Sequence, residues 1–260
     1  MRLRPWFLVV SLLAGCAVAL AQPAGPSWVG HREELETWLV NAEVLEVKDI
    51  GEGVTNPKKV TLKMGETVFH AVYKPLKRGR KKGFWESYQA EVAAYELDKL
   101  LGLDMVPPTV VRRVGSDLGS LQLWVDGCDT YKRLEPRVPQ SRGFSRQISR
   151  MKMFDNLIYN EDRNAGNFLL DESWRIILID HSRAFLDRKN LLKESSKLPV
   201  QYDRHLVERL EALDLETLEV RLKDLLMGGQ IESILKRRDR ILEHERALVA
   251  KQGEQKVLFD

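Results

Sequence analysis

The sequence predicts an α+β fold of two lobes, in which a strand-rich first half is followed by a helix-rich second half. Residues 44 to 126 contain five strand-like segments and one amphipathic helix, whereas residues 127 to 260 contain mainly charged amphipathic helices. The chain has 260 residues, 43% of them hydrophobic, which is enough apolar mass for one bilobal domain or two small ones.

The strands of the first half are predicted from alternating apolar and polar residues between turn signals. They occur at residues 44 to 50, 58 to 64, 67 to 74, 109 to 114 and 121 to 125. We expect residues 22 to 43, which precede them, to form a tether and an N-terminal helix. A basic loop at residues 77 to 82 leads into a helix over residues 84 to 103, and a turn at Gly115 to Gly119 joins the last two strands.

The second half has a different pattern. Residues 146 to 160 are predicted to be helical, and residues 167 to 170 and 175 to 180 to form short apolar strands around a turn. Residues 203 to 250 form two or three charged helices with a break at Gly228-Gly229. We therefore place the first lobe at residues 44 to 126 and the second at residues 127 to 260.

The N-terminus has the features of an export signal. Arg2 and Arg4 form a basic region, residues 6 to 14 form an apolar run, and small residues follow. A membrane anchor is the alternative, but the apolar stretch ends near Ala21 and is short for a spanning helix of about 20 apolar residues. We therefore expect residues 1 to 21 to be a signal peptide, so that the mature protein is periplasmic, secreted or lipid-anchored to the envelope.

Two processing sites compete in this segment. Residues 13 to 16, with the sequence LAGC, resemble a bacterial lipobox, in which Cys16 becomes an acylated N-terminus and hence a membrane tether. Residues 19 to 21, with the sequence ALA, resemble an ordinary signal-peptidase site. Cys128 is the other cysteine, so the folded domain forms no internal disulfide.

The charge balance argues against a nucleic-acid partner. The formal net charge is +3, and removal of Arg2 and Arg4 with the signal lowers it to +1. The sharpest local cluster consists of five basic residues between Lys77 and Lys82. A solvated loop is the simpler interpretation, and recruitment of an acidic substrate or anionic lipid is the functional one. The five histidines form no His-Glu-x-x-His or Cys/His cluster, so we expect no zinc site.

The strongest functional signal lies between Asn160 and Asp180. Phosphoryl transfer from ATP needs a carboxylate that orients the attacking hydroxyl and oxygen ligands that hold a metal against the phosphates. Asp162, Asn167 and Asp180 supply these groups, because Asp162 and Asn167 share one loop and Asp180 ends an adjacent apolar strand. Alternatively, Asn160 to Gly166 is only a polar turn and Asp180 a strand-end cap.

This segment resembles the catalytic segments of atypical protein-kinase-like enzymes. The spacing of Asp162 and Asn167 matches the kinase catalytic loop, although Asp-Arg-Asn stands in place of His-Arg-Asp. It is similar to the Asp-Arg-His loop of phosphatidylinositol 3- and 4-kinases and of the four-jointed group of secretory-pathway kinases. Asp180-His181-Ser182 replaces the metal-binding Asp-Phe-Gly. The resemblance implies a two-lobed protein-kinase-like fold that binds ATP and Mg²⁺ or Mn²⁺ between its lobes.

An upstream lysine and glutamate match the same family. Lys74 ends the third strand, where a kinase has its phosphate-binding lysine, and Glu91 follows inside the next helix, where the ion-pair partner is expected. Residues 90 to 111 also closely resemble the corresponding segment of the four-jointed group, in some members of which this glutamate approaches the metal. Glu86 and Glu96 are rival acids in the same predicted helix.

Two further segments are candidates for nucleotide contacts. Gly51 and Gly53 lie between the first two strands, where small residues let backbone amides approach phosphates, although such a pair is more often just a hairpin turn. Leu123 and Trp124 are expected to contact adenine at the connection between the lobes; a core strand is the alternative.

Together these observations predict an exported phosphotransferase that moves the γ-phosphate of ATP to a hydroxyl group. Asp162 is the candidate catalytic residue, and Asn167 and Asp180 are the candidate metal ligands. The acceptor stays open among a protein, a sugar and a lipid headgroup. A secreted pseudokinase that binds nucleotide or acts as a scaffold without turnover is the alternative, and transfer of a nucleotide is a third hypothesis.

Overall fold

The computed structural model describes residues 28 to 51 and 56 to 260. The predicted signal peptide, the lipobox cysteine Cys16 and the loop glycine Gly53 lie outside the described residues.

The first lobe is built on one antiparallel sheet. Five strands form it in the order β1-β2-β3-β7-β6, and a separate hairpin pairs β4 with β5. The elements are α1 (Arg32–Asn41), β1 (Glu43–Asp49), β2 (Lys58–Met64), β3 (Thr67–Lys74), β4 (Gly79–Lys81), β5 (Phe84–Glu86), α2 (Tyr88–Leu101), β6 (Thr109–Val114) and β7 (Asp117–Leu123). The first three predicted strands are confirmed, since β2 and β3 have the predicted bounds and β1 is shifted by one residue.

The predicted basic loop and helix start are wrong in detail. Lys82 and Gly83 both have positive φ (47° and 90°), so they form a two-residue turn that pairs Lys81 with Phe84. The helix therefore begins four residues later than predicted, at Tyr88. Ser87 caps it, because its side chain accepts a hydrogen bond from the Ala90 amide.

The predicted turn at Gly115 to Gly119 is shorter than expected, because β7 already begins at Asp117. Gly119 is a strand residue rather than a turn residue. A Cβ at this position would lie 2.5 Å from the backbone oxygen of Lys74 and 2.7 Å from the ring of Tyr73. Glycine therefore allows β7 to lie close against the end of β3.

The second lobe is mainly helical. Its elements are β8 (Asp129–Thr130), α3 (Tyr131–Leu134), α4 (Arg142–Ile158), β9 (Phe168–Leu170), β10 (Ile176–Leu178), β11 (Tyr202–Asp203), α5 (Arg204–Glu211), α6 (Leu215–Leu222), α7 (Gly228–Gln252), α8 (Glu254–Val257) and β12 (Leu258–Phe259), with 3₁₀ turns at Glu135–Arg137 and Ser195–Lys197. The predicted break at Gly228 is confirmed as the start of α7. No helix in the described part of the chain is long and apolar enough to cross a membrane.

Two clusters of buried hydrophobic residues stabilise the two lobes. The smaller one packs α1 against the five-stranded sheet and includes Trp28, Leu39 and Leu121. The larger one joins α4, α6 and α7 to α2, from which Tyr95 and Leu97 are fully buried. Helix α2 thus belongs to the first lobe in sequence but shares the core of the second lobe. The larger hydrophobic cluster therefore fixes the position of any α2 side chain that points into the cleft.

Candidate active site

A cavity of about 360 Å³ lies between the lobes. Val72 and Leu123 line it from the first lobe, and Leu169 and Ile179 line it from the second. Its polar lining includes Lys74, Asn167 and Asp180. A mostly apolar cleft with a few convergent polar groups is the usual form of a small-molecule site.

Lys74 lies between two carboxylates at one end of this cavity. Its ammonium nitrogen is 2.6 Å from Glu91 Oε1 and 3.0 Å from Asp180 Oδ1. Glu91 is therefore the ion-pair partner of the lysine, whereas Glu86 and Glu96 pair elsewhere. The structure thus brings β3, α2 and the segment after β10 together at the ammonium group of Lys74.

Burial and charge act against each other in this cluster. Burial disfavours the ammonium of Lys74, but Asp180 and Glu91 outweigh it and raise the lysine pKa. Burial likewise disfavours the carboxylate of Glu91, but Lys74 and His181 lower its pKa well below the usual range. Both groups are therefore charged at neutral pH and form a buried ion pair.

His181 connects this ion pair to the loop that carries Asp162. The His181 amide donates to Glu91 Oε2 at 2.9 Å, and Arg163 donates to the imidazole Nε2 at 2.9 Å. Because Nε2 accepts, the ring proton is on Nδ1, which lies 3.7 Å from Glu91 Oε2. Burial lowers the pKa of His181, and the charge of Arg163 acts in the same direction while Glu91 opposes it. The imidazole is therefore neutral.

The loop from Asn160 to Asn167 is held from several sides. Helix α4 ends at Tyr159 in the left-handed conformation, with φ of 53°, which turns the chain into this loop. Arg163 forms a forked ion pair with the buried Asp155 and also donates to the Ile179 carbonyl at 2.8 Å. Arg163 thereby ties the loop to the strand that ends near Asp180.

Asn167 and Asp180 each keep a side-chain oxygen that accepts no hydrogen bond among those described below. The Asn167 amide nitrogen donates to the Asp162 carbonyl at 2.8 Å, so the side-chain oxygen is the atom left for a cation. Asp180 has φ of 59° and accepts from Lys74 and Ser182 through the same oxygen, Oδ1. Among residues 28 to 51 and 56 to 260, no group of three or more His, Cys, Asp or Glu side chains could hold a metal ion. Such a site would therefore depend on Asn167, Asp180 and ligand oxygens.

Asp162 faces a second, smaller recess of about 90 Å³. Phe84, Trp85 and Arg183 also line this recess. Arg183 bridges two carboxylates, since it donates to Asp162 Oδ2 at 3.1 Å and to Glu86 Oε1 at 2.8 Å. Its guanidinium also lies 4.2 Å from the centre of the Phe84 ring. Asp162 is therefore oriented by a residue that follows Asp180 in the chain.

Of the remaining predicted contacts, Leu123 and Trp124 line the cavity between the lobes. Lys59 places its ammonium 4.3 Å from the centre of the Trp124 ring. Gly51 is exposed with φ of 75°, and its neighbour Ile50 lines the cavity.

Sequence reasoning missed the roles of three side chains near the catalytic loop. Arg163 and Asp155 were not singled out, although an Asp in a helix and an Arg at the centre of the loop motif could have suggested a pair. Arg183 was missed because nothing in its local sequence indicates that Glu86, 97 residues away, is its partner.

Comparison with known proteins gives a limited match in sequence. No protein-family model matches the chain. Protein Rv2133c of Mycobacterium tuberculosis (strain ATCC 25618 / H37Rv) is 27% identical over an alignment of 154 residues; the match covers 45% of this chain and 55% of that protein. The match thus spans little more than half of that relative.

Solved structures give a broader match in fold. The structure of hydra Fam20 with sugar has a TM-score of 0.72 at 15% identity, covering 88% of this chain and 92% of that one. The Golgi casein kinase with Mn/ADP bound has a TM-score of 0.66 at 16% identity, covering 87% and 78%. The Helicobacter pylori proinflammatory kinase CtkA has a TM-score of 0.54 at 13% identity, covering 83% and 99%. The chain therefore has an atypical protein-kinase-like fold, as predicted.

Proposed function

We propose that this protein is an ATP-dependent phosphotransferase that acts on a hydroxyl group outside the cytoplasm. One observation carries the proposal: Lys74 from the first lobe contacts Asp180 of the second lobe at 3.0 Å, at a cavity that Asn167 also lines. A lysine, a carboxylate and an amide oxygen at the edge of one cleft form the donor set that phosphates and a divalent cation require. The Mn/ADP complex of the structurally similar Golgi casein kinase supports the same ligands.

The first part of the mechanism is nucleotide binding. Leu123 and Trp124 provide the apolar side of the cavity for the adenine, and Lys74 binds the phosphates. Glu91 is buried and pairs with Lys74, so it holds the ammonium in place when the Asp180 contact is exchanged for phosphate oxygens. We assign Glu91 to orienting Lys74 rather than to the metal.

The donor set fits Mg²⁺ or Mn²⁺. Mg²⁺ is usually held by one or two protein oxygens together with phosphates and water, and Asn167 and Asp180 supply two protein oxygens. A bound cation would neutralise the charge that develops on the transferred phosphate. Oδ1 of Asp180 accepts hydrogen bonds from Lys74 and Ser182, which leaves Oδ2 to bind the cation.

The second part is activation of the acceptor. Asp162 Oδ2 accepts from Arg183, so Oδ1 is the atom that would accept the proton of the acceptor hydroxyl. The recess lined by Phe84, Trp85 and Arg183 would hold the acceptor next to this oxygen. The acceptor is a protein, a sugar or a lipid headgroup, each of which offers the required hydroxyl.

Matched variants test this assignment. We expect ATP with Mn²⁺ to raise the melting temperature of the wild-type protein and of Asp162→Asn, because that substitution leaves the nucleotide contacts intact. ATP consumption with a hydroxyl acceptor should fall by about 10²-fold or more in Asp162→Asn. Glu172→Gln, which changes an exposed carboxylate that does not line the recess, should stay near wild type.

Four outcomes would contradict the proposal in different ways. Absence of nucleotide stabilisation would exclude nucleotide binding. Stabilisation without consumption would favour the alternative of a pseudokinase. Unchanged consumption in Asp162→Asn would remove the catalytic role of that residue, and a product that gained a nucleotide in mass analysis would indicate nucleotide transfer.

The proposed location rests on the N-terminal sequence. A basic start, an apolar run and small residues precede the folded part, and Cys16 would carry a lipid anchor if the lipobox is used. Mass spectrometry of protein recovered from the envelope should find either an acylated Cys16 or an N-terminal Gln22. Recovery of the unprocessed chain from the cytoplasm alone would contradict export.

A further inference from the structure

A basic and aromatic hairpin projects from the first lobe beside the acceptor recess. We call residues 77 to 85 the hairpin surface; it includes β4 and most of β5. Five of its nine residues are basic and none is acidic. Phe84 and Trp85 at its end are 54% and 53% exposed. The surface thus combines a concentrated positive charge with two large exposed aromatic rings.

The positive charge of this surface is largely unneutralised. Arg78 donates to the Leu225 carbonyl at 2.5 Å and Arg80 to the Gly83 carbonyl at 3.2 Å, so both guanidinium groups are held by uncharged acceptors. Lys77 lies 4.0 Å from Asp117, with 80% of the lysine side chain exposed. Glu86, the next acidic residue, is buried and bonded to Arg183 instead. An anionic partner would therefore meet most of the positive charge of the hairpin.

The exposed aromatic residues distinguish between the partners that a basic surface could bind. The basic residues alone would be enough to bind an acidic polypeptide, without the exposed aromatic rings. Aromatic rings are favoured where one side of a surface is polar and the other apolar, as at the boundary between lipid headgroups and acyl chains. Lysine and arginine beside such rings add attraction to anionic lipids. We propose that the hairpin surface docks this protein on a bilayer that contains anionic lipids.

The contacts of the hairpin relate this docking to the acceptor recess. Phe84 and Trp85 line that recess together with Asp162, and Phe84 stacks on Arg183. Docking therefore brings the recess to the membrane surface, where hydroxyl groups of membrane-attached molecules are concentrated. This consequence rests on the proposed phosphotransferase function, whereas the docking itself does not and is measured without nucleotide.

Vesicle sedimentation tests the charge requirement. The full chain with Cys16→Ser excludes acylation, and phosphatidylcholine vesicles measure any binding by the N-terminal apolar segment. Addition of phosphatidylglycerol should strengthen binding, and high salt should reduce this gain. Lys77→Glu with Lys81→Glu should weaken binding to the anionic vesicles by about 30-fold or more, because each basic residue near such a surface contributes about fivefold.

The control exchanges two lysines at the other end of the molecule. Arg78 fixes the hairpin near Leu225, just before α7, whereas Lys251 lies in the last turn of that helix, about 36 Å along it. Lys251→Glu with Lys256→Glu makes the same charge change, and both residues are exposed. We expect this variant to bind anionic vesicles like the protein with both lysines intact. Melting temperatures establish that each variant is folded.

A fluorescence experiment tests the aromatic contribution. Brominated phosphatidylglycerol should quench tryptophan emission on binding, and Trp85→Phe should lose part of that quenching while it keeps most of the affinity. Equal binding to neutral and anionic vesicles would overturn the proposal, as would unchanged binding in the double Lys77 and Lys81 variant. Binding of polyglutamate but not of anionic vesicles, with the same dependence on Lys77 and Lys81, would replace the membrane by an acidic polypeptide.

Discussion

The two sides of the cleft, which the proposed function assigns to the nucleotide and to the acceptor, differ in how firmly their side chains are held. On the nucleotide side, the side chains of Lys74 and Glu91 are 11% and 2% exposed and pair at 2.6 Å. On the acceptor side, the Asp162 and Arg183 side chains are 36% and 18% exposed, and the neighbouring Phe84 is more than half exposed. The first region is therefore built into the core, whereas the second is open to a substrate.

This difference has a structural cause. Glu91 is on α2, which packs into the larger hydrophobic cluster. Phe84 is on a hairpin of two three-residue strands that does not belong to the main sheet. Substitutions on the nucleotide side should therefore change stability and turnover together. Substitutions on the acceptor side should change turnover while the free energy of unfolding stays nearly constant.

The largest effect on turnover is expected from Asp180→Asn. Asparagine tolerates the positive φ of this position, so the backbone should be preserved while one charge opposite Lys74 and the phosphates is lost. We expect turnover to fall by about 10³-fold, as is typical when one preorganised electrostatic group is removed. ATP consumption in the presence of Mn²⁺ measures the effect, with Glu172→Gln as an exposed control. Wild-type turnover in Asp180→Asn would contradict the proposed ligand role.

Lys74→Met should have the largest effect on stability. It leaves the buried carboxylate of Glu91 without its cation, and breaking one partner of a buried ion pair costs about 3–5 kcal/mol. Adding Glu91→Gln removes the unpaired charge, so we expect the double variant to recover part of the lost stability. Urea denaturation measures both. If Lys74→Met were as stable as wild type, the ion pair of Lys74 and Glu91 would not contribute to the stability of the core.

Arg183→Lys tests the acceptor side. Lysine keeps a positive charge beside Glu86 but lacks the fork that reaches Asp162 at the same time. We expect turnover to fall by about tenfold through misplacement of Asp162, while the free energy of unfolding changes by about 1 kcal/mol or less. Arg188→Lys is a matched exchange at an exposed position. A larger loss of stability than of turnover would remove the contrast between the two sides.

The smallest effect concerns the dependence of stability on pH. Burial lowers the pKa of His181, so the unfolded state binds more protons than the folded state as pH falls below the ordinary histidine value. The part of the free energy of unfolding that depends on a neutral His181 is thus present at neutral pH and is lost as the pH falls. We expect the free energy of unfolding of His181→Gln to fall less steeply between about pH 6.5 and 5 than that of wild type.

A second histidine contributes to the same slope. Burial also lowers the pKa of His244, so His244→Gln should reduce the slope in the same direction and must be measured beside it. An unchanged slope in His181→Gln would mean that this imidazole is not held neutral on the nucleotide side.

The contrast between the two sides also explains which features could be predicted. The positions of Lys74, Glu91, Asn167 and Asp180 followed from short motifs whose order along the chain is informative. The structure brings Lys74, Glu91 and Asp180 into direct contact. Arg183 and the hairpin were not predicted, because Arg183 pairs with a residue far away in sequence and the hairpin turn at Lys82-Gly83 lacks a strong turn signature.

Glu86 and Gly119 show the same limit of local patterns. Glu86 was assigned to the predicted helix over residues 84 to 103, but Ser87 caps the helix and leaves Glu86 in a strand. Gly119 was assigned to a turn, as glycine usually suggests, but it is required by close approach to the backbone of Lys74. In both cases a contact with another element decided the outcome.

The sequence by itself determined the two-lobed fold class and the residues of the proposed nucleotide and metal site. Periodicity and motif order specify these features, since both are carried by residues close together in the chain. Only the tertiary structure decided which acid pairs with Lys74, how Arg183 orients Asp162 and where the basic hairpin lies. These features depend on contacts between distant segments, and the packing of α2 into the second lobe sets those contacts.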